Sequence, residues 1–308
     1  MAKVVISEFM DEAAVQRISA VHDAHYDPEL VDRPEDLAKR VADADALIVR
    51  NRTQVRGALL EAAASLKVVG RLGVGLDNID VPACKARGID VIPATGANDL
   101  SVAEYVITTA QALLRGAYLS TDAVIAGEWP RQALIGGELA GKTMGLIGFG
   151  AIARQVAVRA LGLGMEVIAY DPNLLADDPA WQFARNVSLD GIADLADVVS
   201  LHAPLNENTR HMIDVSFLKA MRSNAVLINA ARGGVVDDAG LAFALAEGEI
   251  AGAALDVFET EPLTAEAGEK FKGLKNLILT PHIAGVTTES NVRVSNLIAD
   301  KVLEALSS

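Results

Sequence analysis

Residues 143–171 read TMGLIGFGAIARQVAVRALGLGMEVIAYD, and this stretch decides the fold. A short apolar run is followed by the turn Gly148-Phe-Gly150, by a helical pattern, and by a second apolar run that ends at Asp171. Two apolar runs of strand length joined by a helix predict a β-α-β unit with parallel strands. The glycine-rich turn therefore lies between the end of a strand and the beginning of a helix.

That turn fits the fingerprint of a dinucleotide-binding site. Gly148 permits a tight turn, Gly150 lets the backbone approach a pyrophosphate, and the small Ala153 lets the helix pack closely on the strand. The helix N-terminus offers unpaired N–H groups and partial positive charge to the phosphates. Asp171 ends the next strand, where a carboxylate accepts hydrogen bonds from ribose hydroxyls and repels a 2′-phosphate. We therefore predict that the cofactor is NAD rather than NADP.

Four further apolar runs follow along the chain, namely ADVVSLHAP, AVLINAARG, IAGAALDVF and NLILTPH. Near-continuous apolar runs are typical of strands that are buried on both faces of a parallel sheet. Ligands of such sheets bind outside the carboxyl ends of the strands, so we expect the chemistry to come from residues that follow the runs. Those residues are Gly148, Asp171, His202, Arg232, Asp256 and His282.

Residues 1–95 show the same alternation, with the apolar runs KVVIS, ALIVR, LKVVGR and IDVIP separated by helical patterns. This alternation predicts a second parallel α/β domain, and 308 residues are enough for two cores. A capping-box pattern at Ser101 and Glu104 predicts one long helix over about residues 101–127. A last helix is predicted over about residues 287–306. The fold class is therefore α/β, with two doubly wound parallel-sheet domains.

The composition is acidic, with 41 Asp and Glu against 27 Lys and Arg and a formal net charge of -14. This charge repels phosphate backbones and anionic lipids, so we expect neither nucleic acid nor a membrane as a partner. The beginning MAKVVISEFMDEA lacks the long apolar stretch of a signal peptide, which favours a cytoplasmic location. The single cysteine, Cys84, has no His or Cys nearby in the sequence, and we predict no metal site.

Several ordered motifs together carry a family resemblance: GRLGVGLDNID, GFGAIAR, LHAPL, NAARGGVVDD, ALDVFETEP and TPHIAG. The chain resembles, over nearly its whole length, the D-isomer-specific 2-hydroxyacid dehydrogenases, a family that includes 3-phosphoglycerate dehydrogenase. The resemblance implies reversible, NAD-dependent oxidation of a small 2-hydroxy acid to the 2-oxo acid. It also implies a Rossmann cofactor domain, residues 99–285, inserted into a flavodoxin-like substrate domain made of residues 1–98 and 286–308.

Carried onto matching positions, the resemblance makes Arg232, Glu261 and His282 the catalytic set. Oxidising an alcohol requires a base for the hydroxyl proton, and imidazole titrates near neutral pH. A carboxylate at Glu261 would stabilise the imidazolium and orient the ring, and the planar guanidinium of Arg232 suits a substrate carboxylate. The alternatives are a structural histidine, a turn residue at Glu261, and an arginine paired with Asp237 or Asp238.

The resemblance also assigns contacts to the two ligands. The predicted NAD contacts are Gly148, Gly150, Ala151, Ile152, Asp171, Ala230, Ala231, Arg232, Asp256, His282, Ile283, Ala284 and Gly285. The backbone N–H groups of Val74 and Gly75 are predicted to bind the substrate carboxylate. His202 is predicted to line the cofactor cleft without transferring a proton.

Three arginines, Arg50, Arg52 and Arg71, follow strands of the first domain. In so acidic a chain they favour a second anionic group on the substrate, as in 3-phosphoglycerate or 3-sulfolactate. Surface salt bridges are the alternative explanation.

Two other functions stay open at this stage, an NAD-sensing corepressor-like binding protein and a glyoxylate or hydroxypyruvate reductase. The apolar stripe of the long helix over residues 101–127 favours a homodimer.

Overall fold

The computed structural model describes residues 1–307. The strands in this range are β1 (Lys3–Ile6), β2 (Asp23–Tyr26), β3 (Ala46–Val49), β4 (Val68–Arg71), β5 (Asp90–Pro93), β6 (Thr143–Ile147), β7 (Glu166–Tyr170), β8 (Arg185–Asn186), β9 (Val198–Leu201), β10 (Val226–Asn229), β11 (Gly252–Leu255) and β12 (Leu277–Leu279). The α-helices are α1 (Glu12–Ser19), α2 (Pro34–Val41), α3 (Gly57–Ala62), α4 (Val81–Ala86), α5 (Asp99–Arg115), α6 (Thr121–Ile125), α7 (Ala151–Gly162), α8 (Leu189–Leu195), α9 (Val215–Ala220), α10 (Asp238–Glu247), α11 (Ala265–Gly268) and α12 (Thr288–Ser307).

Unit 1 consists of Met1–Asn98 and Val286–Ser308. Its parallel sheet has the strand order β2-β1-β3-β4-β5, which is the flavodoxin-like order. Successive residues of a strand point to opposite faces, so Ile48 joins the apolar cluster that contains α12, whereas Leu47 joins the cluster that contains α2.

The last helix of unit 1 lies very close to its sheet. A Cβ added at Gly70 of β4 would lie 2.8 Å from Ile298 Cγ2 and 2.9 Å from Val302 Cγ2, both on α12. Glycine at this position therefore allows α12 to approach the strand.

Unit 2 consists of Asp99–Gly285. Its parallel sheet has the strand order β12-β11-β10-β9-β6-β7-β8, in which the chain order reverses next to β6, as in a Rossmann sheet. Apolar clusters cover both faces, one with α5 and α7 and the other with α8, α9 and α10. The predicted fold class, two doubly wound parallel sheets, is confirmed.

The continuous helix predicted over residues 101–127 is wrong. α5 ends at Arg115 because Gly116 adopts a φ of 63°, a left-handed conformation in which glycine commonly terminates helices. A 3-10 turn and the short α6 follow it. The capping-box prediction is also wrong, since α5 begins at Asp99 and Ser101 is buried inside its first turn.

The length and polarity of the helices bear on membrane insertion. In the part of the chain that the structure describes, none of the helices combines the length and the apolar character that a membrane span requires.

Candidate active site

The glycine-rich turn after β6 has a backbone that only glycine fits at its first position. Gly148 has a φ of 85°, and a Cβ added there would lie 2.7 Å from the carbonyl oxygen of His202. The Gly148 N–H donates to the carbonyl of Tyr170, the last residue of β7, over 2.8 Å. The turn is thus fixed between the ends of β7 and β9.

The second glycine, Gly150, has open space where its side chain would be. No heavy atom lies within 4 Å of an added Cβ at Gly150, and no side chain caps α7, which begins with Ala151 and Ile152. The first N–H groups of a helix have no intrahelical acceptor, so this end of α7 can bind an anion. These features fit the pyrophosphate of NAD, which Ala151 and Ile152 would hold.

Asp171 lies directly beside this turn. Its Oδ2 accepts a hydrogen bond from the Phe149 N–H over 2.8 Å, and its Oδ1 accepts one from the Asn173 N–H over 2.9 Å. The carboxylate is half-buried at the end of β7. This position suits the ribose hydroxyls of NAD, and its negative charge opposes a phosphorylated ribose.

A buried aspartate after β11 orders the turn that carries the predicted catalytic histidine. Asp256 is 1% exposed, and its Oδ1 accepts hydrogen bonds from the Thr280 hydroxyl (2.6 Å) and the Ile283 N–H (2.8 Å). Its Oδ2 accepts one from the Ala284 N–H over 2.8 Å. Because three bonds converge on one carboxylate, the turn over residues 280–284 has one defined conformation.

His282 and Glu261 form the central pair of the site. His282 Nδ1 lies 2.6 Å from Glu261 Oε2, and no group among residues 1–307 forms a hydrogen bond with His282 Nε2. His282 has a φ of 53°, an uncommon left-handed conformation for a residue with a side chain, and strain of this kind concentrates at functional sites. The ring is therefore held at Nδ1, while Nε2 stays available to a ligand.

Glu261 is further fixed by the backbone, because its Oε1 accepts a hydrogen bond from the Phe258 N–H over 3.0 Å. Burial acts to raise the pKa of Glu261, but the hydrogen bond and charge of His282 outweigh it. The Phe258 N–H and the charge of Arg232 act in the same direction, so the net pKa of Glu261 lies below its ordinary value. Glu261 is therefore an anion at neutral pH.

Arg232 lies on the turn after β10, close enough to Glu261 for its charge to act on that carboxylate. The turn is fixed by Asn229, whose Nδ2 donates to the Arg232 carbonyl (2.9 Å) and whose Oδ1 accepts from the Ala231 N–H (3.1 Å). A Cβ at Gly233 would overlap the Phe258 carbonyl, so glycine lets the two turns pack together. The structure thus brings Arg232, Glu261 and His282 together.

The two aspartates named as alternative partners of Arg232 have other roles. Asp237 accepts hydrogen bonds from the N–H groups of Ala239 and Gly240 and caps α10. The carboxylate of Asp238 accepts a hydrogen bond from the Glu259 N–H.

His202 follows β9, and the pKa of its ring is unusually low. Its Nε2 lies 3.0 Å from the Ser200 hydroxyl, and burial lowers the pKa of His202 to about 4. The ring is therefore neutral at neutral pH, which agrees with a lining role rather than proton transfer.

Acid is expected to destabilise the fold through His202. Its folded-state pKa of about 4 lies below the unfolded value of 6.5, so unfolding takes up a proton between these pH values and stability falls as pH is lowered. Other groups titrate in this interval, so the measurement is the difference in unfolding free energy between the native protein and His202→Gln. We expect the unfolding free energy of the native protein to fall by up to about 3 kcal/mol more than that of His202→Gln between pH 7 and pH 4. A difference that is constant with pH would contradict the assignment.

In unit 1, Arg50 is held by three neighbours. Its backbone N–H donates to Glu8 Oε1 over 2.8 Å, and its Nη2 donates to Asn291 Oδ1 over 2.8 Å. Its guanidinium also lies over the Phe9 ring, 5.9 Å from the centroid. The pKa of Arg50 is lowered by burial, with the charge of Glu8 acting in the opposite direction. Within the described chain, no carboxylate forms an ion pair with Arg50.

Arg52 and Arg71 have different surroundings. Both terminal nitrogens of Arg52 bond the Asp32 carboxylate, so the salt-bridge alternative describes Arg52. Arg71 is half-buried, and its guanidinium lies across Gly73, where an added Cβ would collide with it.

Val74 and Gly75, predicted to bind the substrate carboxylate, lie between β4 and α4. Their backbone N–H groups have no hydrogen-bond acceptor in the described range of the chain. They are therefore available to an anion.

Several residues that order the site were missed by the sequence reasoning. Asn229 and Thr280 directly follow or end strands, so their polarity at a strand end was a usable signal. Tyr105 of α5 gives no such signal, although its hydroxyl lies 2.6 Å from Thr280 Oγ1 and burial raises its pKa to about 12.

Comparison with known proteins places the chain in a family. The model of the D-isomer specific 2-hydroxyacid dehydrogenase NAD binding domain matches residues 107–284. The (S)-sulfolactate dehydrogenase of Chromohalobacter salexigens is 54% identical over 307 residues, which are 99% of each chain. The D-3-phosphoglycerate dehydrogenase of Methanocaldococcus jannaschii is 37% identical over 99% of this chain, which spans 58% of the length of that enzyme.

A solved structure shares the whole fold. D-lactate dehydrogenase from Aquifex aeolicus, complexed with NAD and lactic acid, superposes with a TM-score of 0.85 at 27% identity, covering 99% of this chain and 95% of that one. The chain therefore belongs to the D-isomer specific 2-hydroxyacid dehydrogenases and is an NAD-dependent oxidoreductase that acts on a small hydroxy acid.

Proposed function

We propose that this enzyme oxidises a 2-hydroxy acid that has a second anionic group, with 3-sulfolactate as the first candidate. The observation that carries the proposal is the guanidinium of Arg50, which is held by Asn291 and Phe9 while no carboxylate of the described chain forms an ion pair with it. A partly buried cation without an ion-pair partner is costly, and binding of an anion reduces this cost. The similarity to a sulfolactate dehydrogenase over 99% of both chains supports the choice of sulfonate as that anion.

His282 is the proposed base. Its Nε2 takes the proton of the substrate hydroxyl, while Nδ1 keeps its 2.6 Å hydrogen bond to Glu261. The anionic Glu261 stabilises the resulting imidazolium and maintains the ring orientation. NAD, when bound, supplies the acceptor for the hydride that leaves C2.

Arg232 is proposed to orient the acid. The guanidinium of Arg232 offers two parallel N–H donors to the carboxylate and the C2 oxygen, which fixes the reacting carbon. In unit 1, the N–H groups of Val74 and Gly75 are proposed to bind a carboxylate of the substrate. Asp171 would bind the ribose hydroxyls of the cofactor.

A substrate panel combined with two arginine variants tests the second anion. Arg50→Ala is expected to lower kcat/KM for 3-sulfolactate by about 10- to 100-fold, the cost of losing a hydrogen bond to a charged group, and to leave lactate within about threefold. Arg52→Ala is the matched control, because Arg52 is bonded to Asp32, and it is expected to leave both substrates within about threefold.

The same panel separates the remaining functions. It includes 3-phosphoglycerate, glyoxylate and hydroxypyruvate, and NADH formation or consumption is followed by absorbance. A preference for glyoxylate or hydroxypyruvate would replace the proposed substrate class. A protein that binds NADH but turns over no member of the panel would act as a binding module instead.

We also propose a homodimer formed through the segment that follows α5. Large apolar side chains are exposed there, with Ile125 at 79%, Trp129 at 74% and Ile135 at 74%. Val124, Trp129 and Ile135 line one groove together with Leu134. A cluster of this kind is typical of a protein interface.

Charge inserted into this groove is expected to separate the subunits. Trp129→Asp combined with Ile135→Asp should give a monomer by light scattering at a concentration where the native protein is dimeric, because a buried unpaired charge is costly. Leu175→Asp is the matched control, since Leu175 is 75% exposed and lies outside the groove. A native protein that is itself monomeric would contradict the proposal.

A further inference from the structure

We propose that Asn291 is a specificity-determining positioning residue which, with Phe9 and Glu8, holds Arg50 in one orientation and so sets the preference for substrates with two anionic groups. The inference rests on the proposed function, because it concerns how the second anion is recognised. All four residues belong to unit 1, and they come from three separate parts of the chain.

Glu8 fixes the backbone from which Arg50 projects. Glu8 is 4% exposed, and its carboxylate accepts three backbone N–H bonds, from Arg50 (2.8 Å) and Thr53 (2.9 Å) on Oε1 and from Arg52 (3.1 Å) on Oε2. The amide of Asn78 meets the same loop from its carbonyl side, donating to the carbonyls of Arg50 and Thr53. Both N–H groups and carbonyls of the loop over residues 50–53 are thus hydrogen-bonded, and these bonds fix the position of the Arg50 Cα.

Asn291 and Phe9 fix the other end of the Arg50 side chain. The amide oxygen of Asn291, in the first turn of α12, accepts a 2.8 Å hydrogen bond from Nη2. The Phe9 ring supports the guanidinium through its face at 5.9 Å. Phe9 directly follows Glu8, so one short segment supports both the backbone and the head group of Arg50.

The chemical type of the support matters for specificity. Asn291 is neutral and uses one donor of a guanidinium that has five, so the positive charge is retained and donors remain for a ligand. An aspartate in its place would neutralise the cation, as Asp32 does for Arg52. A freely rotating arginine would lose conformational entropy when it binds an anion, and a support of this kind removes that cost before binding.

The experiment compares two asparagines of the same helix. Asn291→Leu keeps the size of the side chain and removes the acceptor. Asn296→Leu is the matched control, because Asn296 Oδ1 accepts a 3.0 Å bond from a different arginine, Arg17. The readout is the ratio of kcat/KM for 3-sulfolactate to kcat/KM for lactate, which a general loss of structure would not move.

We expect Asn291→Leu to lower this ratio about tenfold, through KM and with kcat within about twofold, and Asn296→Leu to leave it unchanged. In an Arg50→Ala background, Asn291→Leu should have no further effect on the ratio. Should Asn291→Leu not fold, Phe9→Leu is the second variant. Phe9 is 48% exposed, so we expect the fold to tolerate its replacement. This variant should also lower the ratio.

The outcomes separate this inference from the proposed function. If Arg50→Ala lowers the ratio but neither Asn291→Leu nor Phe9→Leu changes it, the positioning role is overturned and the second-anion site stays intact. An equal loss for both substrates in Asn291→Leu also overturns it, because the role would then be structural. A ratio that Arg50→Ala itself leaves unchanged removes the second-anion site and the inference with it.

Discussion

Replacing His282 by alanine is expected to lower kcat by about 100- to 10,000-fold, the range that a positioned general base contributes. Among the described residues, Nε2 of His282 makes no hydrogen bond, whereas Nδ1 is held 2.6 Å from Glu261, so the ring combines a fixed orientation with an available base. The measurement is steady-state oxidation of the preferred hydroxy acid with saturating NAD.

Binding of NADH separates loss of the base from loss of the fold. Titration followed by fluorescence should give a Kd for His282→Ala within about threefold of the native value, because the turn over residues 280–284 is held by Asp256 through groups other than the imidazole. His25→Ala is the control, since His25 lies on β2 of unit 1, outside the catalytic set. Turnover within tenfold of native in His282→Ala would remove the proposed base.

Replacing Arg232 by lysine is expected to lower kcat/KM by about 100- to 1,000-fold although the positive charge is kept. A lysine presents a point charge without two parallel donors, so the carboxylate would bind without its orientation being fixed. Arg232 Nη1 also donates to the Ala231 carbonyl over 2.5 Å, but the turn after β10 keeps both of its hydrogen bonds to Asn229, so the turn should survive the change.

The control for this variant is Arg222→Lys. Arg222 is 49% exposed and pairs with Asp197, where a lysine can replace it, so we expect kcat/KM within about twofold of native. Unfolding curves of both variants are the check that neither variant is destabilised. A lysine at position 232 that supports native kcat/KM would show that charge alone is sufficient and that the two-donor geometry is not used.

The sequence predicts the central strands of both sheets because those strands are almost wholly apolar. β2 and β8 were not predicted. β2 has the sequence DAHY and only intermediate burial, and β8 consists of two exposed residues. Both are edge strands, which are covered on fewer sides and therefore lack the continuous apolar run by which buried strands are identified.

The proximity of Arg232, Glu261 and His282 was predictable because each follows a strand in a characteristic motif. The residues that order this set were not, because their contacts join distant parts of the chain. Tyr105 and Thr280 are 175 residues apart, and Arg50 and Asn291 are 241 residues apart. Sequence pattern reports local periodicity, whereas such pairs form only after the sheets have assembled.

The three arginines of unit 1 illustrate the same limit. Their positions after strands were visible in the sequence, but their partners were not. Asp32, which bonds Arg52, lies outside any strand or α-helix, and nothing in the pattern distinguishes Arg52 from Arg50. Only the geometry separates a guanidinium that is paired with a carboxylate from one that is not.

The close packing of α12 on Gly70 has a consequence for how the protein is made. The ribosome synthesises all of unit 2 before this 20-residue helix, so unit 1 cannot complete its fold until unit 2 has been synthesised. Until Ile298 and Val302 are synthesised, the apolar face that α1 and α12 share on the first sheet is covered only in part. Unit 2, most of which matches the NAD binding domain of the family, can therefore fold before unit 1 is complete.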